Sequence, residues 1–136
     1  MITHENGVFL LHNDKISLLL RVNAYGLLEQ LHFGAPVCIA DAEALTLHRP
    51  LGWGTLVLLD DDNQGSCPDE MGLAWSGSGR GDYRESPLEL AGKSTDLRYV
   101  GHRILEGIAP MEGGLPQARG AEQTLEITME QADLRL

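Results

Sequence analysis

The stretch Val8–Phe33, VFLLHNDKISLLLRVNAYGLLEQLHF, decides the fold class. Three short aliphatic runs, residues 8–12, 16–22 and 27–33, are separated by Asn13-Asp14-Lys15 and by Asn23-Ala24-Tyr25-Gly26. Asn and Asp hydrogen-bond their own backbone and accept left-handed φ, and Gly takes positive φ at no steric cost, so both separators read as tight turns. In the third run Leu27, Glu29, Leu31 and Phe33 fall on one face of an extended chain, and Leu28, Gln30 and His32 on the other. That is the period-two alternation of a half-buried strand. Three strands joined by turns make an antiparallel meander.

Beyond the meander the periodicity fades between residues 34 and 81. Residues 41–48 can form one or two helical turns with Asp41 as N-cap, before Pro50, Gly52 and Gly54 break anything longer. Residues 56–59 read as a short buried strand, and the acidic run 60–65 with Gly77, Gly79 and Gly81 forms a long Gly/Asp-rich loop of a kind that is usually functional or disordered. Strand patterns return at 86–90, 95–105 and 124–129. In the second of these, Leu97, Tyr99, Gly101 and Arg103 oppose Arg98, Val100, His102 and Ile104, so neither face is wholly apolar. Leu134-Arg135-Leu136 reads as the second strand of a hairpin that stops early, so the chain is expected to stop within a sheet. The fold class is all-β, an antiparallel β-sandwich in a single domain over 1–136.

The 136 residues carry 20 acidic and 10 basic side chains, a formal charge of −10, with 43% hydrophobic residues. A chain this size buries roughly 68% of its unfolded surface, enough for a core without staples. The acidic balance argues against nucleic acid or an anionic membrane as partner, since affinity for either comes from Lys and Arg meeting phosphate. The start, Met1-Ile2-Thr3-His4-Glu5, has no basic region, and Leu18-Leu19-Leu20 is far short of the roughly 20 apolar residues of a membrane span. A cytoplasmic location is expected. Cys38 and Cys67 stand apart without a CxxC, which fits a reducing compartment better than a disulfide or zinc scaffold.

No cofactor or metal is expected. Asp60, Asp62 and Gly65 match part of a calcium loop, but Gln64 and Met71 stand where the fifth and twelfth ligands belong, and the run reads as a solvated acidic loop. The five histidines have no HxxxH or HExxH spacing. Gly77-Ser78-Gly79-Arg80-Gly81 lacks the Gly-Lys-Ser/Thr and the following helix of a phosphate loop, and its glycines read as positions of positive φ. No GxSxG elbow marks a nucleophile, and no carboxylate pair stands out as catalytic.

Gly79-Arg80-Gly81-Asp82-Tyr83-Arg84, then Ser86-Pro87-Leu88-Glu89-Leu90, then Asp96-Leu97-Arg98-Tyr99-Val100-Gly101-His102-Arg103-Ile104, resembles the amino-terminal domain of bacterial α-galactosidases (melibiases) of glycoside hydrolase family 36. Leu11-His12-Asn13-Asp14, Gly114-Leu115-Pro116 and Thr124-Leu125-Glu126-Ile127 follow that family's pattern in the same order, so the resemblance runs over nearly the whole chain. It implies about the first half of a galactose-mutarotase-like β-supersandwich, ahead of a (β/α)₈ barrel whose strand ends hold the nucleophile and the acid/base of a retaining hydrolase. By that resemblance the partners are an α-galactoside oligosaccharide, the remaining domains and, in the intact enzyme, further copies of the subunit. None of these residues would be catalytic, and the domain would be inactive alone while shaping the pocket and the oligomer contacts.

The resemblance also implies a substrate-binding loop ahead of the GDYR block. The family aspartate that reaches galactose hydroxyls lies 13 residues before the GDYR aspartate, which here is Asp69. A carboxylate accepts two hydroxyls through charge-assisted bonds, and Trp75 in the same loop offers a ring for the apolar C–H face of galactose. The loop departs from the family pattern at Met71-Gly72 and at Ala74. Asp82 and Arg84 read as braces of the loop, with Arg84 pairing to Asp82 or Asp96. The competing reading is a free-standing carbohydrate-binding or protein-interaction β-module.

Overall fold

The tight turns order the first sheet. In the computed structural model, which describes residues 1–47, 68, 71–77, 84–92, 94–108, 119–132 and 134–136, strands β1 (Ile2–Glu5), β2 (Val8–His12), β3 (Ser17–Val22) and β4 (Leu28–Gly34) form a four-stranded antiparallel sheet in sequence order. Asn13 Oδ1 accepts from the amides of Lys15 (2.8 Å) and Ile16 (2.9 Å), and Asn23 Oδ1 from those of Tyr25 and Leu27 (3.0 Å each). A second sheet holds β5 (Arg98–Glu106), β6 (Gln123–Gln131) and the short β7 (Leu134–Arg135), again in sequence order. The fold is therefore an all-β, antiparallel sandwich. Among the described residues no helix is long and apolar enough to cross a membrane.

Strand β1 had no counterpart in the sequence reading. Its turn, Asn6-Gly7, has positive φ at both residues (48° and 77°), the conformation of a type I′ hairpin that Asn-Gly favours.

Two bulges change the faces that simple alternation assigns. In β4 the register passes from Leu20↔Gln30 to Leu19↔His32. Leu31 is the extra residue, so Phe33 moves to the face of Leu18 instead of sharing one with Leu27, Glu29 and Leu31, and it is 66% exposed. In β5 the register passes from Tyr99↔Met129 to Gly101↔Thr128, with Val100 the extra residue. Tyr99 and His102, expected on opposite faces, thus share one, and the Tyr99 hydroxyl lies 2.8 Å from His102 Nδ1.

Both faces of the first sheet are covered. On one, Phe9, Leu20 and Leu28 pack with Leu97 and Met129 from the second-sheet side, flanked by Leu11, Leu18, Tyr99, Leu125 and Ile127. On the other, Leu10 and Leu19 pack with Ala42, together with Val37, Ile39 and Leu45. Ala42 belongs to a 3₁₀ turn, Ile39–Ala42, that replaces the helix expected from Asp41. Cys38 takes the N-cap position, and Asp41 sits inside the turn with its carboxylate accepting from the Cys38 amide at 2.7 Å.

Residues 86–90 are not a strand. Pro87 removes a ladder donor, and Ser86 Oγ bonds locally, accepting from the Leu88 amide (3.3 Å) and sharing its one O–H between the carbonyls of Leu88 (2.8 Å) and Ser76 (3.1 Å). The strand expected at 56–59 and the acidic run 60–65 lie outside the described residues.

Candidate functional site

Segment 71–77 runs along the free edge of β4. The Gln30 amide donates to the Gly72 carbonyl (2.7 Å) and the Ala74 amide to the Leu28 carbonyl (2.9 Å), with Leu73 opposite Glu29 as an antiparallel bridge. Gly72 suits this approach, because a Cβ there would stand 3.0 Å from the Gln30 carbonyl oxygen. The segment is therefore held to β4 by sheet hydrogen bonds.

Beneath it is a buried polar cluster. Glu29 is only 7% exposed, and a carboxylate taken out of water is costly unless its lone pairs are filled. Arg21, directly across the ladder, donates to Glu29 Oε2 from Nε (3.0 Å) and Nη2 (2.6 Å), and Asn23 Nδ2 donates to Oε1 (3.3 Å). Arg21 Nη1 goes on to Thr46 Oγ1 (2.6 Å), and Asn23 Nδ2 lies 3.7 Å from the Met71 sulfur. The cluster links β3, β4, the segment after the 3₁₀ turn and the start of segment 71–77.

The other side of the segment is fixed by Arg84, the last residue of the GDYR motif, and by Ser86 just after it. Arg84 donates from Nη1 to the Met71 carbonyl (2.9 Å) and from Nη2 to the Pro68 carbonyl (2.8 Å), and the Met71 amide also donates to the Pro68 carbonyl (3.2 Å). Ser86 Oγ reaches the Ser76 carbonyl (3.1 Å) and Thr95 Oγ1 (3.2 Å), and Thr95 is 1% exposed. Gly77 packs flat on this hub: a Cβ there would stand 2.3 Å from the Thr95 carbonyl oxygen. The sequence reading gave Gly77 a positive φ, but its φ is not positive and close packing is what requires a glycine. Asp96 pairs with Arg98 at 2.9 Å.

Of the residues singled out for sugar binding, Asp69 lies outside the described residues, as do Asp82, Gly79 and Gly81. Trp75 is half-buried, packed against the cluster of Phe9, Leu97 and Met129. Its indole Nε1 is buried and has no partner among the described residues. Arg21, Asn23, Glu29, Ser86 and Thr95 escaped the sequence reading. A signal for the first three was present, since a hairpin turning on Asn23–Gly26 puts Arg21 opposite Glu29. Among the described residues no three His, Cys, Asp or Glu side chains gather as a metal site, and Cys38 is free and exposed.

A glycoside hydrolase family 36 N-terminal domain model matches residues 26–136. Curated protein sequences give no match. Among solved structures, the galactosidase domain of the α-galactosidase–sucrose kinase AgaSK is 22% identical, with a TM-score of 0.81 over 96% of this chain and 19% of that one. An α-galactosidase from Lactobacillus brevis is 19% identical, with a TM-score of 0.75 over 93% of this chain and 18% of that one. The family 36 α-galactosidase AgaA from Geobacillus stearothermophilus, in complex with 1-deoxygalactonojirimycin, is 26% identical, with a TM-score of 0.72 over 90% of this chain and 18% of that one. This chain thus spans about a fifth of the length of the structures it resembles. Carrying the model over the whole of segment 71–77, its β4 edge and the second sheet, the chain belongs to the glycoside hydrolase family 36 N-terminal domain family.

Proposed function

We propose that the chain serves as the amino-terminal domain of a cytoplasmic, retaining α-galactosidase acting on terminal α-galactose of oligosaccharides, and that it shapes the substrate pocket and subunit contacts instead of carrying the chemistry. The family match over residues 26–136 carries this reading. A retaining hydrolysis needs two carboxyl groups about 5–5.5 Å apart on either side of the anomeric carbon, and in this reading both belong to a barrel domain. Segment 68–77 faces the sugar: Asp69 accepts two galactose hydroxyls, and the exposed part of the Trp75 ring meets the sugar's C–H face.

Purified as 136 residues, the chain is expected to release no p-nitrophenol from p-nitrophenyl α-galactoside above a mock preparation. In an α-galactosidase carrying this domain, Asp69→Ala removes a charge-assisted bond worth about 1.5–3 kcal/mol, so kcat/KM falls roughly 10- to 150-fold. Asp61→Ala, in the acidic run, leaves kcat/KM near its starting value. Unchanged kinetics in both variants of a folded enzyme would overturn the assignment of Asp69, and hydrolysis by the 136-residue chain would overturn the division of labour.

A further inference from the structure

We infer that Arg84 is a positioning residue, whose guanidinium fork sets the backbone on either side of residues 69–70 by gripping the carbonyls of Pro68 and Met71 at once.

The geometry is that of a clamp. Two donors of one planar group reach two carbonyl oxygens three residues apart, at 2.8 and 2.9 Å, while the Met71 amide closes the same turn onto the Pro68 carbonyl. The Pro68 oxygen thus accepts from both Arg84 and Met71. A rigid fork can span two acceptors in this way, whereas a lysine offers one mobile point charge. Two residues on, Ser86 grips the Ser76 carbonyl. Residues 84 and 86 therefore hold both ends of the segment, and the sheet bonds of Gly72 and Ala74 to β4 hold its middle. Arg84 itself is exposed, so replacing it leaves both apolar clusters intact. What the clamp contributes is the placement of one turn.

That this turn is presented to a galactoside rests on the reading under Proposed function. The grip on the turn does not, and the experiment separates the two. In the 136-residue chain, amide hydrogen exchange is followed by NMR for Arg84→Ala, Arg84→Lys and the parent. Arg84→Ala is expected to speed exchange at Met71 about tenfold and to leave the amides of Phe9 and Leu20 within twofold, because local opening is separate from global unfolding. Millimolar guanidinium restores protection at Met71 in the Arg84→Ala variant, and Arg84→Lys does not restore it. Unchanged exchange at Met71 overturns the clamp. A rise of equal size at Met71, Phe9 and Leu20 also overturns it, since Arg84 would then support overall stability only. In an α-galactosidase carrying the domain, Arg84→Ala lowers kcat/KM about tenfold, and the double variant with Asp69→Ala is no worse than Asp69→Ala alone. If the exchange result holds while the double variant loses both effects in full, the clamp stands and the sugar-facing role of residue 69 falls.

Discussion

A single glycine shows how tightly the segment is seated. A Cβ on Gly77 would lie 2.3 Å from the Thr95 carbonyl oxygen and 3.2 Å from its carbon, both backbone atoms that cannot rotate away. Thr95 is itself locked, 1% exposed with its hydroxyl on Ser86. Gly77→Ala is therefore expected to destabilise the protein by about 1–3 kcal/mol, the usual cost of overpacking. Gly101 is the control: a Cβ there meets nothing within 4 Å, so Gly101→Ala should be nearly neutral. Urea midpoints at constant m-value measure both, and equal midpoints for the two variants would contradict the close packing. At this scale the sequence was half legible. Arg84 as a brace followed from its motif, but its grip on the backbone carbonyls of Pro68 and Met71 is one that no spacing rule reveals, and the reason for Gly77 lies in Thr95, which is distant along the chain.

Elements with a strong local cause were readable, and elements made by their neighbours were not. Strands β2, β3 and β4 follow from short apolar runs bounded by Asn and Gly turns, and β6 from the alternation of Leu125, Ile127 and Met129. Strand β1, Ile-Thr-His-Glu, buries little of itself and exists because Asn6-Gly7 folds it onto β2. Once there, His4 stacks on Phe9 with ring centroids 4.6 Å apart and meets His102 at 4.2 Å. Desolvation, and secondarily the nearby His102, hold the His4 imidazole below its usual 6.5. The unfolded chain then binds the proton more readily than the folded one, so stability is complete above about pH 6.5 and falls as pH drops through that value toward the lower folded pKa. The expected result is a thermal midpoint that declines between pH 7 and 5, with a shallower slope in His4→Gln. The Arg103–Glu126 pair across β5 and β6 acts lower: its hydrogen bond to Arg103 holds Glu126 below 4.5, so its contribution fades only as pH falls beneath that value. A slope for His4→Gln equal to the parent's would remove β1 as the origin of the decline.

For the whole molecule, the question is whether the two sheets form one cooperative unit. The apolar cluster between them draws Phe9, Leu20 and Leu28 from the first sheet and Met129 from the second, and Trp75 of the candidate site packs on the same cluster. Polar ties cross as well: the Tyr99 amide donates to the Gly26 carbonyl (2.8 Å), Arg98 Nη1 to the Tyr25 carbonyl (2.7 Å) and the Ile2 amide to Gln123 Oε1 (2.7 Å). Alternation assigned faces in β4 and β5, and in both a bulge, which leaves no mark in periodicity, changed them: the one at Leu31 turns Phe33 to the face of Leu18, and the one at Val100 turns Tyr99 and His102 to one side. With Trp53→Phe in the background, so that Trp75 alone fluoresces, the emission and far-ultraviolet circular dichroism transitions are expected to coincide. Met129→Ala, from the second sheet, should shift both by the same amount, about 2–5 kcal/mol, and Phe9→Ala, from the first, by about 3–5 kcal/mol. If Met129→Ala moves the Trp75 transition and leaves the dichroism transition of the first sheet in place, the sheets unfold independently, and a site anchored on their shared cluster would lose its rigid base.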